Sequence, residues 1–236
     1  MRFNLGIKKF QKSIVILALF ILYNPKIIKA QVSDFGAWTT LSIEKKINKN
    51  FSANLTEELR FFQNLNRFNL SYTNLGLSYK LNKSVKFSLV YRFIQKYTQE
   101  NYISWRHRIY LDMQLKQKFY PLTFVFRSRL QSQIRDYYSS SDGYIPERYW
   151  RNKFDVRYEI GRFLAPYIAA EFRYQFVNDR NKEANSRFNR GRYYLGMQYQ
   201  YSERTSFDFY LMNQREFNVN NPERNYIVGA EWDYSF

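Results

Sequence analysis

The sequence predicts an all-β protein: a transmembrane, antiparallel up-and-down β-barrel of about 10–12 strands, twelve favoured, behind a cleavable signal peptide. Three observations predict it. The chain ends on a strict alternation, with Tyr226, Val228, Ala230, Trp232, Tyr234 and Phe236 on one side and Ile227, Gly229, Glu231, Asp233 and Ser235 on the other. Side chains two apart share a strand face, so one face can meet lipid while the other meets a polar lumen. The N-terminus reads as a secretion signal, and the same period-two stripes recur along the rest of the chain.

The signal comes first. Arg2, Lys8, Lys9 and Lys12 precede an apolar run at 13–23, and Ile28-Lys29-Ala30 offers a small residue for cleavage before Gln31. The run is too short to span a bilayer as a helix. The domains expected are therefore a signal peptide at 1–30 and one barrel at 31–236, in the envelope of a Gram-negative-type cell. Removing six Lys/Arg with residues 1–30 lowers the formal charge from +17 to +11. That balance still favours anionic partners. With no Cys, the chain has no disulfide, thiolate ligand or Cys nucleophile. The mean hydropathy of −0.60 is compatible with a barrel, because only alternate residues need face lipid.

The stripes follow in order. Phe35, Ala37, Thr39, Leu41 and Ile43 form the first; Phe51, Ala53, Leu55, Leu59 and Phe61 the second. The third runs from Arg67 to Leu81 and shifts phase near Thr73-Asn74, which predicts a bulge there. Val85 to Phe93, Trp105 to Leu115, and Leu122 to Leu130 give the fourth, fifth and sixth. Beyond a polar loop at 136–147, Trp150 to Ile160 and Ile168 to Phe176 form the seventh and eighth. After a second loop at 178–186 come Tyr193 to Tyr201, Phe207 to Leu211, and the closing strand. Long loops alternate with short turns, which predicts extracellular loops and a periplasmic C-terminus. Eleven stripes conflict with the even strand number usual for bacterial barrels, so either residues 31–38 hide a short strand or thread the lumen, or the stripes do not count the strands correctly.

Trp38, Glu44-Lys45-Lys46-Ile47-Asn48-Lys49, Glu57-Glu58-Leu59-Arg60-Phe61, Leu77-Ser78-Tyr79-Lys80-Leu81-Asn82, Tyr91-Arg92-Phe93 and His107-Arg108-Ile109-Tyr110-Leu111 occur in that order. In these segments the chain resembles the uncharacterised bacterial outer-membrane barrels grouped as the domain of unknown function 2490. The resemblance implies a barrel and its location, and carries no catalytic residues.

Charges are costly toward lipid, so parity assigns them inward. The candidate anion-favouring lumen residues are Arg60, Arg92, Arg106, Arg108, Arg127, Arg129, Arg157 and Arg173, with Lys86, Lys116, Arg151 and Lys153 on the same face. The inward acids are Glu58, Asp112, Asp155, Glu159, Glu171, Asp208, Glu216, Glu231 and Asp233. Opposite charges could pair and fill a narrow lumen, giving a passive envelope barrel. Alternatively, surplus guanidinium could line a porin-like conduit for anionic solutes. A lipid-modifying enzyme would have to be built on the single His107; Ile109 stands where such enzymes place a Ser, Ser104 faces the other way, and Ser128 on a neighbouring strand is the remaining nucleophile. A loop-mediated adhesin or complex subunit is a third class. No cofactor and no nucleic acid are expected; a carboxylate calcium site in the 136–147 loop is the metal alternative. The Tyr and Phe residues read as girdles at the lipid interfaces. The partners expected are membrane lipid, lipopolysaccharide and the barrel assembly machinery, the last through Trp232, Tyr234 and Phe236.

Overall fold

The computed structural model describes residues 33–98, 102–135 and 146–236. The expected signal segment and most of the 136–147 loop lie outside the described residues. Among the described residues, eleven strands follow one another: β1 Ser33–Lys46, β2 Phe51–Phe62, β3 Arg67–Lys80, β4 Val85–Tyr97, β5 Ile103–Phe119, β6 Leu122–Arg135, β7 Glu147–Tyr158, β8 Leu164–Val177, β9 Arg187–Gln200, β10 Thr205–Glu216 and β11 Arg224–Ser235. Each pairs antiparallel with the next, and the sheet closes on itself with β1 beside β11.

The closure corrects the expected strand count. β1 and β11 run parallel, in register from Ser33 with Arg224 to Glu44 with Ser235. A meander with an odd number of strands returns its last strand pointing the same way as its first, so no twelfth strand is needed to close it. Parallel ladders are only slightly weaker per residue than antiparallel ones, and closure removes two exposed edges. The last residue is drawn into the ladder: Lys46 N–H donates to the Phe236 carbonyl at 2.8 Å, and Phe236 N–H to that of Glu44 at 3.0 Å.

The two ends of the barrel differ. One carries the short connections 47–50, 81–84, 120–121, 159–163 and 201–204 together with the C-terminus. The other carries the longer loops, including 178–186 and 217–223, together with the start of β1. Asp34 ties that start down, its carboxylate accepting from Gln63 N–H at 2.9 Å and Asn64 N–H at 3.1 Å.

Burial is inverted relative to a soluble protein. Leu75, Leu77, Leu195 and Leu211 point outward and are more than half exposed, whereas Glu58, Arg92, Asp112, Arg129 and Glu171 are buried. An apolar exterior around a charged interior is what hydrocarbon solvent selects. Most stripes fall on the outer face as predicted, with one correction of phase. The bulge in β3 lies at Asn69, where the register slips opposite Arg60 and Phe61, and not at Thr73-Asn74. Everything after Asn69 keeps one phase, so Tyr72 turns inward with Asn74 and Ser78. Further register slips interrupt the β7–β8 and β8–β9 pairings, also near the long-loop end.

Two inward tyrosines fill space left by glycines. Tyr210 pairs with Gly229 across β10–β11, and Tyr167 with Gly196 across β8–β9. A Cβ at 229 would lie 2.0 Å from the Tyr210 ring, and one at 196 would lie 2.4 Å from that of Tyr167. These rings pack with Trp38, Ala169, Met212 and Ile227 into a small apolar core along the β8–β1 wall.

Candidate functional site

The inner wall is organised by a ladder of alternating aromatic and guanidinium groups, one from each strand β1 to β6. Arg60 lies 3.5 Å from the Trp38 ring and 5.4 Å from that of Tyr72. Arg92 lies 3.4 Å from Tyr72 and 5.5 Å from Tyr110, and Arg129 lies 3.8 Å from Tyr110. The barrel stagger produces the sequence of contacts. Trp38 and Arg60 are direct cross-strand partners, whereas Tyr72 is offset by two from Leu70, the partner of Arg60. The same diagonal step relates Arg92 to Tyr72, Tyr110 to Arg92 and Arg129 to Tyr110. Diagonal neighbours are within reach of long side chains. Each desolvated stack is worth on the order of 1–2 kcal/mol, and it leaves the guanidinium edge available for hydrogen bonds in its plane.

Those edges take two kinds of partner. Carboxylates hold one set: Glu58 pairs with Arg60, Asp112 grips Arg129 in a bidentate pair at 2.6 Å, and Asp155 holds Arg157 at 2.9 and 3.1 Å. Glu171 gathers three guanidiniums, those of Arg127 at 2.5 Å, Arg192 at 3.4 Å and Arg151. Amides hold the other set. Arg92 donates to Asn74 at 2.6 Å, Arg108 to Gln133 at 3.0 Å, and Arg173 to Asn189 at 2.8 Å. Arg106 lies on the same face, in register with Ile94 and Arg135.

Of the acids expected inside, Glu159 departs. It lies beyond the end of β7, in the 159–163 turn, where it pairs with Lys118 and accepts from Thr123 at 2.9 Å. The Lys118 hydrogen bond holds its carboxyl below the usual carboxylate range.

Sequence parity missed Arg190 and Arg192, because the ninth apolar stripe starts only at Tyr193 and leaves 187–192 unassigned, whereas β9 begins at Arg187. Arg190 and Arg192 share the phase of inward Tyr194, and that alternation was the available signal. The aromatics also need correction. Trp38, Tyr72, Tyr110, Tyr149, Tyr167 and Tyr210 are buried inside, not placed at a lipid girdle.

A cavity of about 410 Å³ occupies the short-turn half of the lumen, with Trp38, Arg92 and Arg129 of the ladder in its wall and Glu44 and Lys86 at its opposite end. A second cavity of about 510 Å³ adjoins it between the 47–50 and 81–84 turns, ringed by Lys46, Lys49, Lys80, Lys83 and Lys116. The long-loop half is filled by amides and carboxylates. Gln175 and Asn189 are fully buried and bonded to each other at 2.7 Å. Gln133 and Tyr149 both donate to Glu147 at 3.0 Å, and Asn178 donates to Tyr149 at 2.8 Å. Over this packing lies a 3-10 segment, Asp179–Ala184, whose Glu183 accepts from Asn220 N–H at 3.0 Å.

His107 sits outside, where its Nδ1 lies 2.7 Å from the Tyr91 hydroxyl and its ring packs on Phe93. The structure does not bring Ser128 to it. His107 pairs with Ile134, and Ser128 pairs with Met113 six residues further along β5. Ser128 instead accepts from the Trp150 indole at 2.7 Å. Among the described residues, no three His, Cys, Asp or Glu side chains are grouped to hold a metal ion.

The family described as "Protein of unknown function (DUF2490)" matches residues 35–225. No curated protein is similar enough to the chain to match it. Two solved barrels are similar in fold. A bacterial polysaccharide outer membrane secretin is 11% identical over 80% of this chain and 77% of its own, with a TM-score of 0.50. The NanC porin is 12% identical over 86% of this chain and 98% of its own, with a TM-score of 0.51.

Proposed function

Because the chain belongs to the DUF2490 family of proteins of unknown function, we propose its role from the barrel itself: an integral outer-membrane, porin-like channel whose guanidinium-rich lumen favours anions. The observation that carries this is the set of inward cations with amide partners in place of carboxylates, Arg92, Arg108 and Arg173. An amide accepts a hydrogen bond without neutralising the charge, so the lumen potential stays positive and attracts anions. The similarity in fold to a porin and to an outer-membrane secretin agrees with the location.

In this reading the C-terminus and short turns face the periplasm, and the long loops face outward. The Lys-ringed cavity is then the periplasmic mouth. Trp232 and Phe236, exposed on the outer face beside Tyr234, meet lipid and present the aromatic strand that the barrel assembly machinery would bind. Liposome swelling tests the channel role. Vesicles holding the refolded chain should take up small anionic solutes faster than cations of equal size. Replacing Arg92, Arg108 and Arg173 together by Gln should abolish the preference; a preference that survives removes those residues from the role.

One observation favours a passive, plugged barrel as the second reading: the buried amide packing around Gln175 and Asn189. In that case vesicles with the native chain stay impermeable, and Gln175→Ala with Asn189→Ala makes them leaky.

A further inference from the structure

The cavity in the short-turn half has two walls of opposite charge. Arg92 on β4 and Lys153 on β7 line it, and so do Asp208 on β10 and Glu231 and Asp233 on β11. In the closed strand order, β10 lies across the barrel from β4 and β5, and β11 across from β5 and β6, so the acids face the β4–β6 part of the ladder. The charges do not meet. Arg92 is bonded to Asn74, and the Lys153 ammonium rests 4.4 Å from the Tyr194 ring. Among the described residues, no ion pair within 4 Å joins Asp208, Glu231 or Asp233 to a cation; Asp208 takes only the Tyr167 hydroxyl, at 2.7 Å.

Arg60 and Arg129 are already held by Glu58 and Asp112, so Arg92 and Lys153 are the cations left facing the acids, and opposite charges held apart across one cavity are costly without something between them. Carboxylates gathered on one wall repel each other until a cation joins them, and a guanidinium without a carboxylate lacks its strongest partner. The indole N–H of Trp38, a cavity residue that is 5% exposed, is also without an acceptor. A free anion would satisfy only one wall. A single solute carrying both charges satisfies both.

We propose that this cavity binds a small zwitterion, its carboxylate or phosphate end at Arg92 and its ammonium end at Glu231, Asp233 and Asp208. The inference rests on the reading of the lumen as a solute path and names the solute class. The volume of about 410 Å³ suits a small organic molecule.

The test is calorimetry on the full refolded chain in detergent with three probes of matched chain length: 6-aminohexanoate, hexanoate and hexylammonium. A second charge-assisted contact should make 6-aminohexanoate bind about tenfold tighter than hexanoate, with hexylammonium weaker than the zwitterion too. Glu231→Gln with Asp233→Asn should bring 6-aminohexanoate down to the level of hexanoate and leave hexanoate itself unweakened. Arg92→Gln should weaken both. Equal binding of hexanoate and 6-aminohexanoate by the native chain overturns the proposal whether or not any variant folds. Vesicle uptake is scored separately. A barrel that passes anions yet treats the three probes alike overturns the zwitterion site and leaves the channel standing. An impermeable barrel that prefers the zwitterion supports the site and removes the channel.

Discussion

Thr39 on β1 and Ala230 on β11 stand side by side on the outer face of a parallel pair, and their register defines the seam at which the barrel closes. The seam joins the first described strand to the last. It also starts β1 at the long-loop end, beside the start of β11.

A disulfide across this pair tests the closure. Thr39→Cys with Ala230→Cys should oxidise readily in the folded barrel, since direct cross-strand neighbours lie within disulfide reach. Thr39→Cys with Trp232→Cys, two residues out of register, should oxidise poorly. Equal yields from both pairs, read by gel mobility with and without reductant, would contradict a fixed parallel register.

Gly229 and Tyr210 make a second test. A Cβ at 229 falls inside contact distance of the Tyr210 ring, which neighbouring side chains hem in. Gly229→Ala should therefore cost about 1–3 kcal/mol in urea unfolding, the usual size of an overpacking penalty. Adding Tyr210→Ala should recover part of that loss despite removing a buried ring. If the double variant is less stable than the sum of the single variants predicts, the clash is not the cause.

Glu171 is the most heavily committed acid of the lumen, with Arg127, Arg151 and Arg192 around it and almost no exposure. Glu171→Gln keeps the shape and strands three guanidiniums. Breaking a buried pair on one side costs about 3–5 kcal/mol, and here the loss should appear as a lower urea midpoint. The same variant should bind anions more tightly, so chloride or phosphate should restore stability to it more than to the native chain.

The turn pair Lys118–Glu159 gives a pH dependence outside the membrane. Its carboxyl is depressed in the folded state, so the unfolded chain binds the proton more readily. The stabilisation is thus fully present above the ordinary carboxylate value of 4.5 and is lost as pH falls through the lower folded value. Lys118 is half exposed, so the effect is small and salt-screened. Lys118→Ala should lower the urea midpoint slightly at pH 7 and leave it unchanged in strong acid; a constant difference across pH would point to lost packing instead.

The stripes were legible because lipid and water sort side chains by parity, so Leu195, Met197 and Tyr199 name their face without a structure. The closure was less legible. Alternation counts stripes but does not show whether a further strand completes the barrel, so an even number was favoured over the parallel β1–β11 pairing that eleven strands of a meander require. The inward arginines followed from parity, but the ladder did not. Stacking Arg92 on Tyr72 depends on the stagger between β3 and β4 and on a bulge at Asn69 that the sequence places four residues too late. Tyrosine is amphipathic and suits either face, so residue type gave Tyr110 and Tyr194 no mark of the lumen, and only their phase did. The division of the lumen into a charged cavity and an amide-packed half depends on how distant loops fold back, and the pairing of Glu183 with Asn220 has no local sequence signature.

The most direct measurement of the central claim is the reversal potential of the refolded chain in a planar bilayer under a salt gradient. A positive lumen predicts stable openings whose reversal potential has the sign of anion flow, moving toward zero when Arg92, Arg108 and Arg173 are replaced by Gln. Openings with cation preference, or an anion preference untouched by those substitutions, would contradict it.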